Sequence, residues 1–152
     1  MHTEPIQLNQ PINTLKSVAH NIWIVDGPII HMNMSIAQVP FPTRMTIVRL
    51  HNHQLWCHSP IALTPALKAK VDELGTVQHL ISPNKIHYAY IEEWTKAYPE
   101  AIAWASPGIR ERATQQNIPV TFHRDLQEKS PTDWSWDIDH TIFRCSRFME
   151  EF

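Results

Sequence analysis

Glycine is scarce in this sequence, which has 3 glycines and 12 prolines among 152 residues. A loop that wraps a phosphate group in backbone N–H groups needs glycines at short, fixed spacing, and neither GxGxxG nor GxxxxGK is present. The sequence therefore gives no support for nucleotide binding of these kinds. It predicts instead that most of the loops are closed by proline.

The chain also lacks an excess of positive charge and any long apolar run. It carries 13 basic and 15 acidic residues, a net charge of -2, which gives no electrostatic reason to expect nucleic acid as a partner. No apolar run approaches the roughly 20 residues that cross a membrane, and residues 1–16 show no signal-peptide pattern. We expect a cytoplasmic protein that binds neither nucleic acid nor membrane.

Cysteine is equally sparse, since Cys57 and Cys145 are the only two. Two cysteines make no disulfide framework, and a reducing compartment fits them as small apolar groups. Cys57 has no basic neighbour and lies in an apolar stretch, so we expect an inert thiol.

The N-terminal half has the pattern of short strands. Residues 1–17 are predicted to be an extended lead-in, and residues 22–25 a strand closed by a turn at 26–28. Residues 31–43 are predicted to form a proline-rich loop. A β-hairpin then follows, with strands at 45–50 and 55–58.

The C-terminal half alternates strands with helices. A helix should begin at Thr64-Pro65, where threonine can cap and proline needs no partner for its missing N–H, and end at Gly75. Further strands are predicted at 77–81, 101–105 and 119–122, and further helices at 86–97 and 109–116. Such alternation predicts one α/β domain with parallel pairing after the antiparallel hairpin.

Two histidines stand where strands end, and ligands of open α/β sheets bind at such edges. His58 precedes Ser59-Pro60, and His87 should head a helix whose dipole keeps the ring neutral, able to bind a metal or accept a proton. The alternatives are structural: His58 bonded to a backbone carbonyl, and His87 capping the helix or its loop. Ser59 and His58 should point to opposite faces, which excludes them as a nucleophile and its base.

Other polar groups are weaker candidates. His51 and His53 share a turn and could take up a metal adventitiously, and Asp137 and Asp139 flank His140 at a spacing that could hold a cation. His79 lies within an apolar strand and is expected in the core. The six tryptophans should fill the interface between sheet and helices.

Several runs together resemble the family catalogued as domain of unknown function 4336, a divergent branch of the metallo-β-lactamase-like hydrolases. The runs are NIWIVDGP (21–28), RMTIVRL (44–50), LWCHSPIALTPAL (55–67), VDELGTVQHLISPNKIHYAYIEEW (71–94), YPEAIAWASPGIRER (98–112) and WSWDIDH (134–140). The resemblance covers nearly the whole of residues 1–152 and implies an αββα sandwich.

The chain departs from the active enzymes that it resembles. Their zinc-binding HxHxDH motif is replaced by SPNKIHYAY, in which His87 is the remaining candidate ligand and Asn84 lies nearby. The family usually continues further, so the resemblance implies a domain shortened at its C-terminus. Zinc or iron is then possible but not expected at full occupancy, with His58, His87 and His140 as candidate ligands and His58 and His87 as candidate catalytic residues.

Two functions follow from this resemblance. The first is a divergent hydrolase with a degenerate metal site and an unknown small-molecule substrate. The second is a non-catalytic scaffold or oligomerisation protein. Because a shortened sandwich leaves a sheet face open, we expect a homodimer held through residues 134–152.

Overall fold

A computed structural model describes residues 6–34, 37–144 and 152. They contain one seven-stranded sheet in which strand order follows chain order, from β1 to β7. The strands are β1 (Lys16–Ala19), β2 (Ile22–Met34), β3 (Ala37–Arg49), β4 (Gln54–His58), β5 (Thr76–Ser82), β6 (Ile102–Ala105) and β7 (Arg124–Asp125). The helices are α1 (Pro65–Leu74), α2 (Ile91–Ala97) and α3 (Ile109–Gln115).

Strands β1 to β4 are antiparallel and include a long β2–β3 hairpin. The predicted turn at 26–28 is wrong, because those residues form a bulge at which β2 changes register and continues. The predicted loop at 31–43 is wrong as well, since most of it belongs to β2 and β3. Pro40 and Pro42 are tolerated because they are two residues apart and can turn their missing N–H to the same side, away from β2. Within the described part of the chain that side of β3 is unpaired here, since β4 pairs with residues 46–49 of β3.

Strands β4 to β7 are parallel, which confirms the predicted change of pairing. Helix α1 has the predicted bounds, and the Thr64 hydroxyl accepts the N–H of Leu67. Helix α2 is shorter than predicted and begins at Ile91. The strand predicted at 119–122 is absent, and β7 takes its place at Arg124–Asp125.

The two sheet faces are covered in different ways. The three helices pack on one face, where the buried residues of α1, α2 and α3 share a core with Val25, Ile47 and Leu80. The other face carries Trp56, Ile81 and Trp104 together with Leu50, Leu126 and Trp134. These six residues are at most 7 % exposed. The open sheet face predicted from the sequence is therefore not found in the described residues. Leu126 and Trp134, which follow β7, cover that face.

Helices long and apolar enough to cross a bilayer are absent from the described residues. Cys57 is buried and free, and burial raises the pKa of its thiol, in agreement with the inert thiol expected there. Cys145 lies outside the described residues.

Candidate active site

Three neighbouring parallel strands end in the same dipeptide, Ser-Pro. The serines are Ser59 after β4, Ser82 at the end of β5 and Ser106 after β6. His58 pairs with Ile81 and Ser82 with Ala105, so the three serines come at the same edge of the sheet. This is the carboxyl edge, where parallel sheets place their ligands.

Ser59 differs from the other two because its backbone is left-handed, with φ of 57°. Its N–H still donates to the carbonyl oxygen of Ile81 at 2.9 Å, which holds the residue against β5. A non-glycine residue with positive φ is uncommon and interrupts the alternation of side chains along a strand. The Ser59 hydroxyl oxygen lies 2.7 Å from Nδ1 of His87, within hydrogen-bonding distance.

This Ser59–His87 pair was missed by the sequence analysis, which tested Ser59 against His58 alone. Strand alternation places Ser59 and His58 on opposite faces only where Ser59 continues β4 in extended form, and with its positive φ Ser59 does not. His87 is distant in sequence, so spacing gave no signal. The Ser-Pro step directly after a buried strand was the signal that could have directed attention to Ser59.

His87 lies in the connection between β5 and α2 and is exposed. Its N–H donates to the carbonyl oxygen of Asn84, and the Asn84 side-chain oxygen accepts the N–H of Ile86. The expected place of His87 at the head of a helix is wrong, because α2 begins four residues later at Ile91. The ring of His87 therefore lies outside the first turn of α2, within which the effect of the helix dipole is confined.

The pair borders a cavity of about 90 Å³ beneath the β2–β3 hairpin. The hairpin and the segment before α2 each contribute both apolar and polar side chains to its wall. The polar lining comes from Thr43, Arg44, Ser59, His87 and Tyr90. The apolar lining is formed by Ile30, Met32, Phe41, Pro42, Pro60, Ile86 and Ala89. His58 is not part of the lining, so the expected crevice shared by His58 and His87 is not this cavity.

Arg44 is fixed at the cavity by a carboxylate behind it. Its Nε donates to Oδ1 of Asp26 at 2.7 Å, and Lys16 donates to Oδ2 at 2.8 Å. Burial raises the pKa of Asp26, but the hydrogen bonds from Lys16 and Arg44 outweigh burial and leave that pKa below its ordinary value. Asp26 is therefore a carboxylate at neutral pH, held by two cations.

Tyr90 closes the cavity on the side of α2. Burial raises the pKa of its phenol, and the nearby carboxylate of Glu93 raises it further. The side chain is therefore a neutral hydroxyl at physiological pH, able to donate as well as accept a hydrogen bond.

His58 and His140 lie in an aromatic setting on the other face of the sheet. The His58 ring stacks on Trp56, with ring centroids 5.5 Å apart, and its Nε2 is 3.4 Å from the carbonyl oxygen of Phe152. Nε2 of His140 is 2.7 Å from the carbonyl oxygen of Gln127, and its ring meets Phe152 edge-on. These contacts match the structural alternative considered for His58.

Metal binding can be tested against the side chains present. A tight zinc site gathers at least three protein ligands. Within residues 6–34, 37–144 and 152, no three histidine, cysteine, aspartate or glutamate side chains are grouped so that they could hold a metal ion. The described residues thus do not fit a complete zinc centre. The ligand and catalytic roles of His58, His87 and His140 stay predictions.

The remaining candidates have structural partners. Nδ1 of His51 is 2.7 Å from Oδ2 of Asp137, and Asp139 accepts the N–H of His140. His79 is 1 % exposed and its Nδ1 accepts the indole N–H of Trp104, which confirms its place in the core.

Comparison with known proteins agrees with this architecture. The family model described as domain of unknown function (DUF4336) matches residues 20–144. Curated proteins give no match. The metallo-β-lactamase FIM-1 from Pseudomonas aeruginosa, in its mono-zinc form, is similar in structure with a TM-score of 0.53 and 14% identity, over 77% of this chain and 51% of that one.

Two further solved structures show the same likeness. The metallo-β-lactamase DIM-1, exposed to ceftazidime, gives a TM-score of 0.54 and 12% identity over 84% of this chain and 56% of that one. VMB-1 gives a TM-score of 0.53 and 9% identity over 76% of this chain and 52% of that one. This chain thus spans about half the length of these proteins, and identities this low show a shared fold alone. With its family model matched over residues 20–144, the chain belongs to the DUF4336 family and has an α/β fold like that of the metallo-β-lactamases.

Proposed function

We propose that this protein is a divergent hydrolase of the metallo-β-lactamase-like fold that acts on a small molecule through Ser59 and His87. The observation that carries the proposal is the 2.7 Å contact between the Ser59 hydroxyl and Nδ1 of His87 at the mouth of a cavity. A serine becomes a nucleophile when a base within this distance takes its proton. The location at the carboxyl edge of parallel strands adds support.

The proposed reaction is hydrolysis of an ester in two steps. The Ser59 oxygen forms a bond to the acyl carbon while its proton passes to Nδ1 of His87. The bond to the alcohol then breaks, and the alcohol leaves with that proton. Water then gives a proton to the same imidazole and attacks the acyl carbon, and the bond to Ser59 breaks, so that the acid is released and the Ser59 oxygen takes back the proton.

The expected rate is modest, because the backbone next to Ser59 offers little help to a developing oxyanion. The N–H of Ser59 is already donated to Ile81, and residue 60 is a proline without an N–H. General base assistance by one histidine contributes on the order of 10²–10⁴-fold, whereas each oxyanion donor adds on the order of 10²–10³-fold. We therefore expect slow turnover of activated esters and no β-lactam hydrolysis above background.

Covalent labelling tests the nucleophile directly. The protein is incubated with a fluorophosphonate, and the adduct is measured by intact mass and located by peptide mapping. We expect one adduct, on Ser59, that is absent in Ser59→Ala and forms at least 10-fold more slowly in His87→Ala. Ser106→Ala, which removes the hydroxyl of another strand-end serine, is the matched control and should label like the wild type. Equal labelling of wild type and Ser59→Ala would reject the proposal.

A non-catalytic scaffold is the second candidate, and two exposed aromatic side chains favour it. Trp136 is 87% exposed and Phe143 is 62% exposed, both within the segment after β7. Large apolar groups left in solvent favour contact with another molecule, and a second copy of this chain is the simplest partner. For either function we propose a cytoplasmic location, where the thiol of Cys57 stays reduced.

A further inference from the structure

We infer that the cavity binds a small molecule that carries a carboxylate, and that the guanidinium group of Arg44 holds it. The inference deepens the proposed function, since it names the substrate class of the site at which Ser59 and His87 meet. The observation that supports it is the position of the positively charged Arg44 in the wall of a largely apolar cavity.

Arg44 is the one permanently charged residue among those that line the cavity in the described part of the chain. The carboxylate behind it does not cancel this charge, because Asp26 is also bonded to Lys16, at 2.8 Å. Two cations against one carboxylate leave a net positive charge on the Arg44 side of the cavity, whereas the carboxylate of Glu93 acts from the Tyr90 side. An anionic ligand is therefore favoured over a cationic one.

The guanidinium is also held in place while part of it remains available to a ligand. Only Nε of Arg44 is bonded to Asp26, and the Arg44 side chain is 49% exposed, whereas that of Asp26 is 5% exposed. Among the described residues, the two Nη groups of Arg44 have no hydrogen-bond partner. A planar fork with free donors matches the two oxygens of a carboxylate, and fixing its orientation beforehand lowers the entropy lost on binding.

The cavity itself brings this fork and the nucleophile together. Arg44 and Ser59 lie just beyond Thr46 and His58, the last pair of the β3–β4 ladder at this end, and both line the same cavity of about 90 Å³. A carboxylate on Arg44 and an ester carbonyl at Ser59 can thus belong to one small molecule.

The rest of the lining sets the character of what joins these two groups. Ile30, Phe41 and Ile86 contribute apolar wall, which suits a short hydrocarbon chain. A cavity of about 90 Å³ has room for only a few heavy atoms beyond the reacting group. The class that fits is the half-ester of a short dicarboxylic acid.

The test compares two chromogenic esters, p-nitrophenyl hemisuccinate and the neutral p-nitrophenyl butyrate. The readout is the ratio of their kcat/KM values, each measured above spontaneous hydrolysis, which is faster for the hemisuccinate because its own carboxylate attacks the ester. We expect the wild type to favour the hemisuccinate by about 10- to 100-fold, as one charge-assisted bidentate pair provides. Arg44→Gln should bring the ratio close to one, and Arg44→Lys should keep part of it.

Arg110 offers a matched control. Its Nε donates to a carboxylate, Asp125, at 2.8 Å, and its side chain is 44% exposed, as in Arg44, but it does not line this cavity. Arg110→Gln changes the net charge by the same amount and should leave the ratio at its wild-type value. A ratio that falls equally in both variants would contradict a specific role for Arg44.

A binding measurement separates this inference from the catalytic proposal. Titration calorimetry with monomethyl succinate is performed on Ser59→Ala, which cannot react, and on Ser59→Ala combined with Arg44→Gln. Binding to the first that weakens at least 10-fold in the second supports the inference, even if Ser59 proves not to be a nucleophile. Equal binding to both, or none to either, overturns it, whatever the labelling of Ser59 shows.

Discussion

The backbone of Ser59 provides a test that depends on one residue. A non-glycine side chain in the left-handed region costs about 1–2 kcal/mol, a cost that glycine avoids. Ser59→Gly and Ser59→Ala both lose the hydroxyl, so they differ only in the methyl group at a φ of 57°. We expect Ser59→Gly to exceed Ser59→Ala by about 1 kcal/mol in unfolding free energy, measured by urea titration.

The opposite order of these two variants would mean that the residue is extended in solution. Labelling by the fluorophosphonate should be lost in both variants, because neither carries the Ser59 hydroxyl.

A Ser59→Gly variant that is more stable but no longer labelled would show that the serine is kept at this position at a cost in stability.

His79 should make stability depend on pH in a defined window. Burial lowers its pKa from 6.5 to about 4; the nearby charges of Asp133 and Arg124 act in opposite directions. The unfolded chain therefore takes up the proton at higher pH than the native protein. The stabilisation is complete above about pH 6.5 and is lost as the pH falls towards 4, by up to about 3 kcal/mol.

Urea unfolding at pH 7 and pH 4.5 measures this loss. His79→Leu should reduce the difference between the two pH values, while His20→Asn, a change at an exposed histidine, should not. The carboxylates contribute at lower pH: Asp26 has a pKa below 3.8, so its stabilisation disappears only as the pH falls below that value. An unchanged pH difference in His79→Leu would assign the effect to other groups.

Sequence reasoning at the residue scale succeeded where local chemistry decides and failed where a backbone angle decides. Placing His79 in the core needed only the apolar residues around it. Pairing Ser59 with His87 needed the positive φ of Ser59 and the path of the chain from β5 to α2. Neither follows from the residue types, because a serine adopts extended backbone far more often.

Helix α1 is the element whose start the sequence defines best, and its cap can be removed. The Thr64 hydroxyl oxygen accepts the N–H of Leu67 at 3.1 Å. Thr64→Ala leaves that donor without its partner and should lower the unfolding free energy by about 1 kcal/mol. Thr64→Ser keeps the hydroxyl and should stay within about 0.5 kcal/mol of the wild type. A thermal or urea titration of the three proteins decides, and equal loss in both variants would show that the methyl group matters rather than the cap.

The long hairpin is the element that sequence reasoning missed. The sequence predicts a turn or loop at Pro28, Pro40 and Pro42, because proline rarely occurs inside a sheet. In the structure Pro28 lies at the bulge, and the other two lie where, among the described residues, β3 is paired on one side alone. Whether a proline breaks a strand depends on which side of the strand is open, and that is decided by the positions of other strands.

The metal content of the whole protein can be measured. Among the described residues, no three histidine, cysteine, aspartate or glutamate side chains are grouped so that they could hold a metal ion. We expect less than about half an equivalent of zinc or iron in protein purified without a histidine tag and dialysed, because a tight site needs at least three protein ligands. Elemental analysis by mass spectrometry gives the number directly. One full equivalent retained after dialysis, and lost in His87→Ala, would contradict this prediction and return His87 to the role of a ligand.

Self-association is the second prediction for the whole molecule. The predicted open sheet face is covered by the segment that carries Trp134, so the reason for a homodimer moves to Trp136 and Phe143, which are 87% and 62% exposed. The predicted interface, residues 134–152, includes 145–151, which lie outside the described residues. We expect light scattering to give a dimer, and the double variant Trp136→Ser, Phe143→Ser to shift it towards a monomer. A wild-type protein that stays near 17.7 kDa across a wide concentration range would exclude the dimer.

The strand order, β1 through β7 without exchange, has a consequence for how the chain is made. On the ribosome, each new strand emerges next to the one before it and finds the edge it needs already present. None of the seven described strands has to wait for a later one to be inserted between it and its neighbour, as crossover topologies require. The sheet can therefore grow in the direction of synthesis, and each unpaired edge is exposed only for the time taken to translate the next connection.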